Sequence, residues 1–200
     1  MRALELRRHG PRDPDADRLS AEGQRLAEEV SRDLPGGYVA VYTSPAQRAA
    51  ETAAWFLRGL GQQLPALHGA VDGLASPVED RWKASAKAAG SSRIDDLERQ
   101  DPDLVERESA RLGGAARDLL AGLPDGGRAL AVGHSPLIEA AAYGLTGAVV
   151  EPLAECEGIL LEEDGDEVRL AREYRRGVRG GSSPGEDEAV TPPGERPPGG

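Results

Sequence analysis

The chain has 200 residues, a formal net charge of −11, 38% hydrophobic and only 4% aromatic residues. That length suits one domain with a sizeable core and is too short for two comfortable ones. The acidic balance argues against general affinity for nucleic acid or an anionic membrane, and neither is an expected partner.

Taken in order, "ALEL" at 3–6 alternates Leu4 and Leu6 as a short strand and then runs into "RRHGPRDP", a cationic cluster followed by prolines. Ser20 is placed to cap a helix over 21–33, with Leu26, Ala27, Val30 and Leu34 at helical spacing. "PGG" at 35–37 stops it, "YVAVYTS" reads as a buried strand, and "PAQRAAETAAWFLRGL" starts a second helix with Pro45 at its first position. The order strand, helix, strand, helix points to a parallel sheet covered on both faces.

Residues 62–103 carry a short strand in "ALHGAVDGL", a helix in "SPVEDRWKASAKAAG" with Ser76 capping, and a shorter helix in "SSRIDDLERQDPD". A long helix follows over about 103–123 with Leu104, Leu112, Ala115 and Leu119 on one side. "RALAVGHS" is a second buried strand, "PLIEAAAYGL" an apolar helix, and "GILLEEDGDEVRLAREY" a hairpin turning at Asp164-Gly165. From residue 177 the composition falls to Gly, Pro, Ser, Arg and Glu, so the expected division is one domain over 1–176 and a disordered Gly/Pro-rich tail over 177–200. Cys156 is the only cysteine, no apolar leader opens the chain and no stretch reaches the length of a membrane span. A cytoplasmic location is the expectation.

In an open parallel sheet, ligands bind at the carboxyl ends of the strands. The first strand ends in Arg8-His9-Gly10 with Arg12 beyond it, the second in Ser44 with Arg48 a turn into its helix, and the "ALAVG" strand in Gly133-His134-Ser135. Two of the three histidines thus fall at one edge with a set of arginines. Arginine forks match the oxygens of a phosphoryl group, and a histidine neutral near pH 7 can attack phosphorus. Phosphoryl transfer asks little more than in-line positioning and charge neutralisation, so no metal or organic cofactor is expected.

"LRRHG", "SPAQRAAETA" and "AVGHS" together resemble the histidine phosphatase superfamily, over roughly residues 2–175. "RHGPRDP" also fits the RHGxRxP signature of the superfamily's larger branch, but that branch is much longer and has His-Asp where this chain has His134-Ser135. The body is therefore similar to the small branch of phosphoglycerate mutases, sugar and nucleotide phosphatases and short phosphohistidine phosphatases. The resemblance implies an α/β fold, a three-layer α/β/α sandwich with a mostly parallel central sheet. It also implies a phosphohistidine intermediate on His9 and a phosphate pocket of Arg8, Arg48 and His134, with Arg12 a further member.

The carboxylic acid that the superfamily usually supplies to the leaving oxygen has no recognisable motif here. Glu79 is the preferred candidate, with Asp80 and Asp72 behind it, and first-turn helix carboxylates explain Glu79 and Asp80 as well. Short phosphohistidine phosphatases lack this acid. The expected function is hydrolysis of a phosphorylated small molecule or of a phosphohistidine protein. A phosphoglycerate mutase-like transferase and a non-catalytic phospho-ligand-binding module are the alternatives.

Overall fold

The computed structural model describes residues 1–177. Their strands are β1 (Arg2–Arg8), β2 (Ala40–Thr43), β3 (Leu67–Ala70), β4 (Arg128–Gly133), β5 (Gly158–Asp164) and β6 (Glu167–Tyr174), joined in one sheet of order β3-β2-β4-β1-β5-β6. The four strands from β3 to β1 run parallel, and the β5–β6 hairpin adds two antiparallel pairings at the other edge. β4 alternates cleanly. Leu130 and Val132 face α1 (Ala21–Ser31) and α2 (Gln47–Gly59), where Phe56 is fully buried. Ala129 and Ala131 join Leu4, Leu6, Ile159 and Leu161 on the opposite face. There they meet α3 (Glu79–Ala89), α4 (Ile94–Gln100), α5 (Pro102–Ala121) and α6 (Leu137–Thr146). Helices on both faces of a mixed, mainly parallel sheet make the expected three-layer sandwich.

Several boundaries differ from the sequence reading for local reasons. The Ser20 hydroxyl does cap α1, accepting from the Gly23 amide at 3.0 Å. Pro45, however, lies outside α2, whose first residue is Gln47. Ser76 does not cap α3 directly. Its hydroxyl accepts from the Val78 amide and donates to Glu108 at 2.7 Å, so it closes the turn ahead of the helix. On α5 the buried stripe passes through Leu104, Leu112, Ala116 and Leu120, one residue beyond the expected Ala115 and Leu119. The hairpin loop is Gly165-Asp166, with Asp164 still paired to Glu167 and Gly165 at φ +64°, a conformation that glycine adopts without strain. Trp82 is a core residue, 3% exposed. Of the expected tail over 177–200, residues 178–200 lie outside the described residues.

The face of β1 opposite Leu4 and Leu6 carries Glu5 and Arg7, both buried. They pair with each other at 2.6 Å, and the Tyr38 hydroxyl donates to Glu5 at 2.9 Å. Such a buried pair is tolerable only because each charge is compensated in place.

Candidate active site

The ends of β1, β2 and β4 are held together beyond the regular ladder. The His9 amide donates to the Gly133 carbonyl at 3.0 Å and the Ser44 amide to the Val132 carbonyl at 2.9 Å. The segment after His9 is pinned as well. The Gly10 amide donates to the Thr52 hydroxyl at 3.0 Å, and that hydroxyl donates to the Arg48 carbonyl at 2.7 Å. Gly23 lets α1 pack closely on the same segment, because a Cβ there would stand 2.1 Å from the Pro11 carbonyl oxygen. The sequence therefore sets His9, Arg48 and His134 on three fixed platforms.

Their side chains meet. The imidazole rings of His9 and His134 lie edge to face with centroids 5.1 Å apart. His9 Nδ1 is 2.7 Å from the Gly10 carbonyl oxygen, which can only accept, so Nδ1 carries the proton and Nε2 keeps its lone pair. Arg48 Nε donates to that Nε2 at 3.1 Å. The same guanidinium reaches His134 Nδ1 through Nη2 at 3.2 Å. An arginine only donates, so His134 Nδ1 accepts and its Nε2–H donates to the Ser44 hydroxyl at 2.7 Å. Both rings are neutral. Burial is the main cause, bringing His9 down to about 4 and His134 down to about 3, and the nearby Arg48 charge works in the same direction at each.

Arg8 lies half-buried beside them. Its Nη1 donates to the Leu153 carbonyl and its Nη2 to Glu155 at 3.1 Å. The third nitrogen of Arg48, Nη1, is paired with Asp17. Asp17 also accepts from the Gln47 amide at 2.9 Å; partial burial alone would raise its carboxyl, but these donors hold it below the usual range. Arg12 follows in the β1–α1 loop, bridged through its backbone to Leu19, with an exposed side chain. Glu79 opens α3 half-exposed and receives Lys83 at 3.3 Å, and Asp80 beside it is fully exposed. Asp72 begins a 3-10 turn directly after β3, and Leu74 in that turn carries a carbonyl close to Gly133. That turn is anchored from α5: Arg111 donates to the Ala75 carbonyl at 2.6 Å and pairs with Glu108.

His9, Arg48 and His134 are thus in mutual contact, with Arg8 bordering the group, while no hydrogen bond or ion pair joins Arg12 or Glu79 to them among the described residues. Sequence reasoning missed Asp17, Ser44 as a partner of His134, Thr52 and Glu155. The first two had a usable signal, since each lies within a few residues of a cationic motif; Glu155 had none. Among the described residues no group of three or more His, Cys, Asp or Glu side chains could hold a metal ion. A separate cleft of about 320 Å³ lined by Asp33, Arg128, Glu162 and Tyr174 lies toward the first residue of β4, at the other end of the strand from His134.

A family model described as the histidine phosphatase superfamily, branch 1, matches residues 4–158. The chain belongs to that superfamily. Its fold is shared with solved structures at low identity. A phosphoglycerate mutase from Bacillus anthracis str. Sterne superimposes with TM-score 0.63 and 20% identity, covering 84% of this chain and 90% of that one. A phosphoserine phosphatase from Entamoeba histolytica, in complex with 3-phosphoglyceric acid, gives 0.65 and 17%, covering 88% and 98%. A mycobacterial glucosyl-3-phosphoglycerate phosphatase in complex with VO3 gives 0.57 and 17%, covering 88% and 100%. No curated protein matches the chain at a significant level.

Proposed function

We propose that the protein is a phosphatase that hydrolyses a phosphomonoester through a covalent phosphohistidine on His9. One observation carries the reading: His9 holds its proton on Nδ1 against the Gly10 carbonyl and turns an unprotonated Nε2 toward the Arg48 guanidinium. A phosphoryl group drawn to Arg48 and Arg8 meets that lone pair directly.

The chemistry follows in two displacements. Nε2 of His9 attacks phosphorus while the bond to the substrate's ester oxygen breaks in line, and that oxygen leaves with a proton. Glu79 is the donor we favour, with Asp80 and Asp72 the alternatives. The Nδ1–H bond to Gly10 supports the positive charge that the ring acquires on phosphorylation. Water then attacks phosphorus on the side opposite Nε2 and gives a proton back to the carboxylate that protonated the leaving oxygen. The P–N bond breaks with its electron pair returning to Nε2, and inorganic phosphate departs with His9 regenerated. Arg8, Arg48 and, as substrate enters, Arg12 compensate the charge on the equatorial oxygens. A dianion beside His134 also favours a proton on its Nδ1, turning that atom into a donor. No metal is required by this scheme.

Phosphorylated small molecules are the favoured substrates. The solved neighbours named as phosphoserine and glucosyl-3-phosphoglycerate phosphatases lend support, and a phosphohistidine protein is the second class. Likeness to a phosphoglycerate mutase keeps phosphoryl return to the product in view. The test is p-nitrophenyl phosphate turnover in excess EDTA, followed by product analysis with a phosphosugar. Release of inorganic phosphate in both supports a hydrolase. A phosphoryl group moved to a new hydroxyl makes the protein a mutase, no turnover makes it a binding module, and loss on chelation restored by magnesium or zinc contradicts the site as described.

A further inference from the structure

The two arginines of the site are each met by a carboxylate at its rim. Arg48 is paired with Asp17 and Arg8 with Glu155, and the carboxylate side chains are 49% and 36% exposed. Both histidines are neutral, so the two cations and two anions sum to no net charge before any ligand arrives. Asp17 stays in place when Arg48 turns toward a phosphoryl group, because it is also held by the Gln47 amide. Glu155 is fixed by its neighbours: Leu153 receives Arg8 on one side, and the Cys156 amide donates to the Arg8 carbonyl at 3.1 Å on the other. The field of Glu155 reaches His9, and that of Asp17 reaches His134.

A phosphoryl dianion added to this arrangement leaves it two charges negative, and one charge negative once His134 takes up a proton on Nδ1 or Arg12 swings in; only both together bring it to neutrality. A second anionic group on the substrate worsens that excess; a cation within a few ångströms of the phosphoryl group relieves it. We propose that the substrate is a phosphomonoester carrying a protonated amine close to its phosphoryl group, selected by Asp17 and Glu155. This rests on the phosphatase reading above and names its substrate class.

Three probes of equal length separate the charges: phosphoethanolamine, propyl phosphate and phosphoglycolate, which end in an ammonium, a methyl and a carboxylate. Each is measured for kcat/KM, and as a competitive inhibitor of p-nitrophenyl phosphate hydrolysis so that a slow substrate still reports its affinity. The expected order is amine, then neutral, then carboxylate, with the ends about tenfold or more apart, as charges at such distances allow. Asp17→Asn and Glu155→Gln should each narrow the amine-to-carboxylate ratio severalfold, and high salt should narrow it further. A ratio near one or inverted, in protein that hydrolyses p-nitrophenyl phosphate, overturns the inference and leaves the phosphatase standing. So does an equal change for all three probes in the variants, which would mean that the carboxylates only occupy the arginines. Absence of p-nitrophenyl phosphate turnover removes the phosphatase reading and this inference with it.

Discussion

Arg48 Nε donates to His9 Nε2 at 3.1 Å, so the guanidinium rests against the one unprotonated nitrogen of that ring. Its other two nitrogens are taken by His134 and Asp17. A lysine ammonium is a point donor and cannot span those three partners. Arg48→Lys is therefore predicted to lose most of what Arg48→Ala loses, about 10²–10³ in kcat/KM toward p-nitrophenyl phosphate, the scale for one oxyanion donor. Near wild-type kinetics for the lysine variant would mean that only charge matters at this position.

Proton occupancy gives a second prediction. Burial brings His9 to about 4 and His134 to about 3, both below the ordinary 6.5. In the free protein neither ring should titrate between pH 8 and 5 in imidazole nitrogen spectra, and His9 should show its proton on Nδ1. Because the folded values are depressed, the unfolded chain binds more protons between about 6.5 and 4. Their contribution to stability is complete above pH 6.5 and is lost as the pH falls toward 4. Denaturant midpoints at pH 5 and 7 check that sign.

Much of this was legible in the sequence because the strands carrying the motifs are short, apolar and bounded by glycine or proline. "LRRHG", "SPAQR" and "AVGHS" each sit where a buried strand stops, so sheet topology alone brought their polar residues to one edge. Propensity makes Pro45 the first helical residue, yet α2 begins two residues later because the Ser44 amide stays bonded to β4. The α5 stripe was misplaced by one residue, since Leu119 satisfies the apolar pattern but packing selects Ala116 and Leu120. Glu155 could not be read at all. Its pairing with Arg8 spans 147 residues and depends on the turn before β5.

Leaving-group protonation supplies a third prediction. Glu79 is engaged by Lys83 at the start of α3, whereas Asp72 follows directly on β3 in a turn whose Leu74 carbonyl approaches Gly133. Whichever carboxyl is the acid, its amide variant should slow alkyl phosphates by roughly 10²–10⁴ and leave p-nitrophenyl phosphate nearly untouched. Glu79→Gln, Asp80→Asn and Asp72→Asn are the variants to compare. Equal damage to both ester types would assign the carboxylate a structural role, and silence from all three would favour a phosphohistidine substrate.

Glu139 supports the site from within α6. It is fully buried, and burial pushes its carboxyl upward. One oxygen accepts from Ser135 and from the Leu153 amide at 2.8 Å, so the residue holds the segment that receives Arg8. Glu139→Gln keeps an acceptor of the same shape and should fold with nearly unchanged stability. Glu139→Ala strands the buried Leu153 amide and should cost about 1–3 kcal/mol in equilibrium unfolding. Equal stability of the two variants would show that this contact contributes nothing.

Covalent capture on His9 tests the central claim most directly. Protein mixed with a phosphomonoester labelled on phosphorus and quenched in alkali should retain label on the peptide containing His9. Acid should release it, because phosphohistidine is stable to alkali and labile to acid. His9→Ala should retain none and should lose turnover while unfolding at the wild-type denaturant midpoint to within about 1 kcal/mol. Undiminished turnover by His9→Ala, or acid-stable label on a serine or aspartate, would contradict the account.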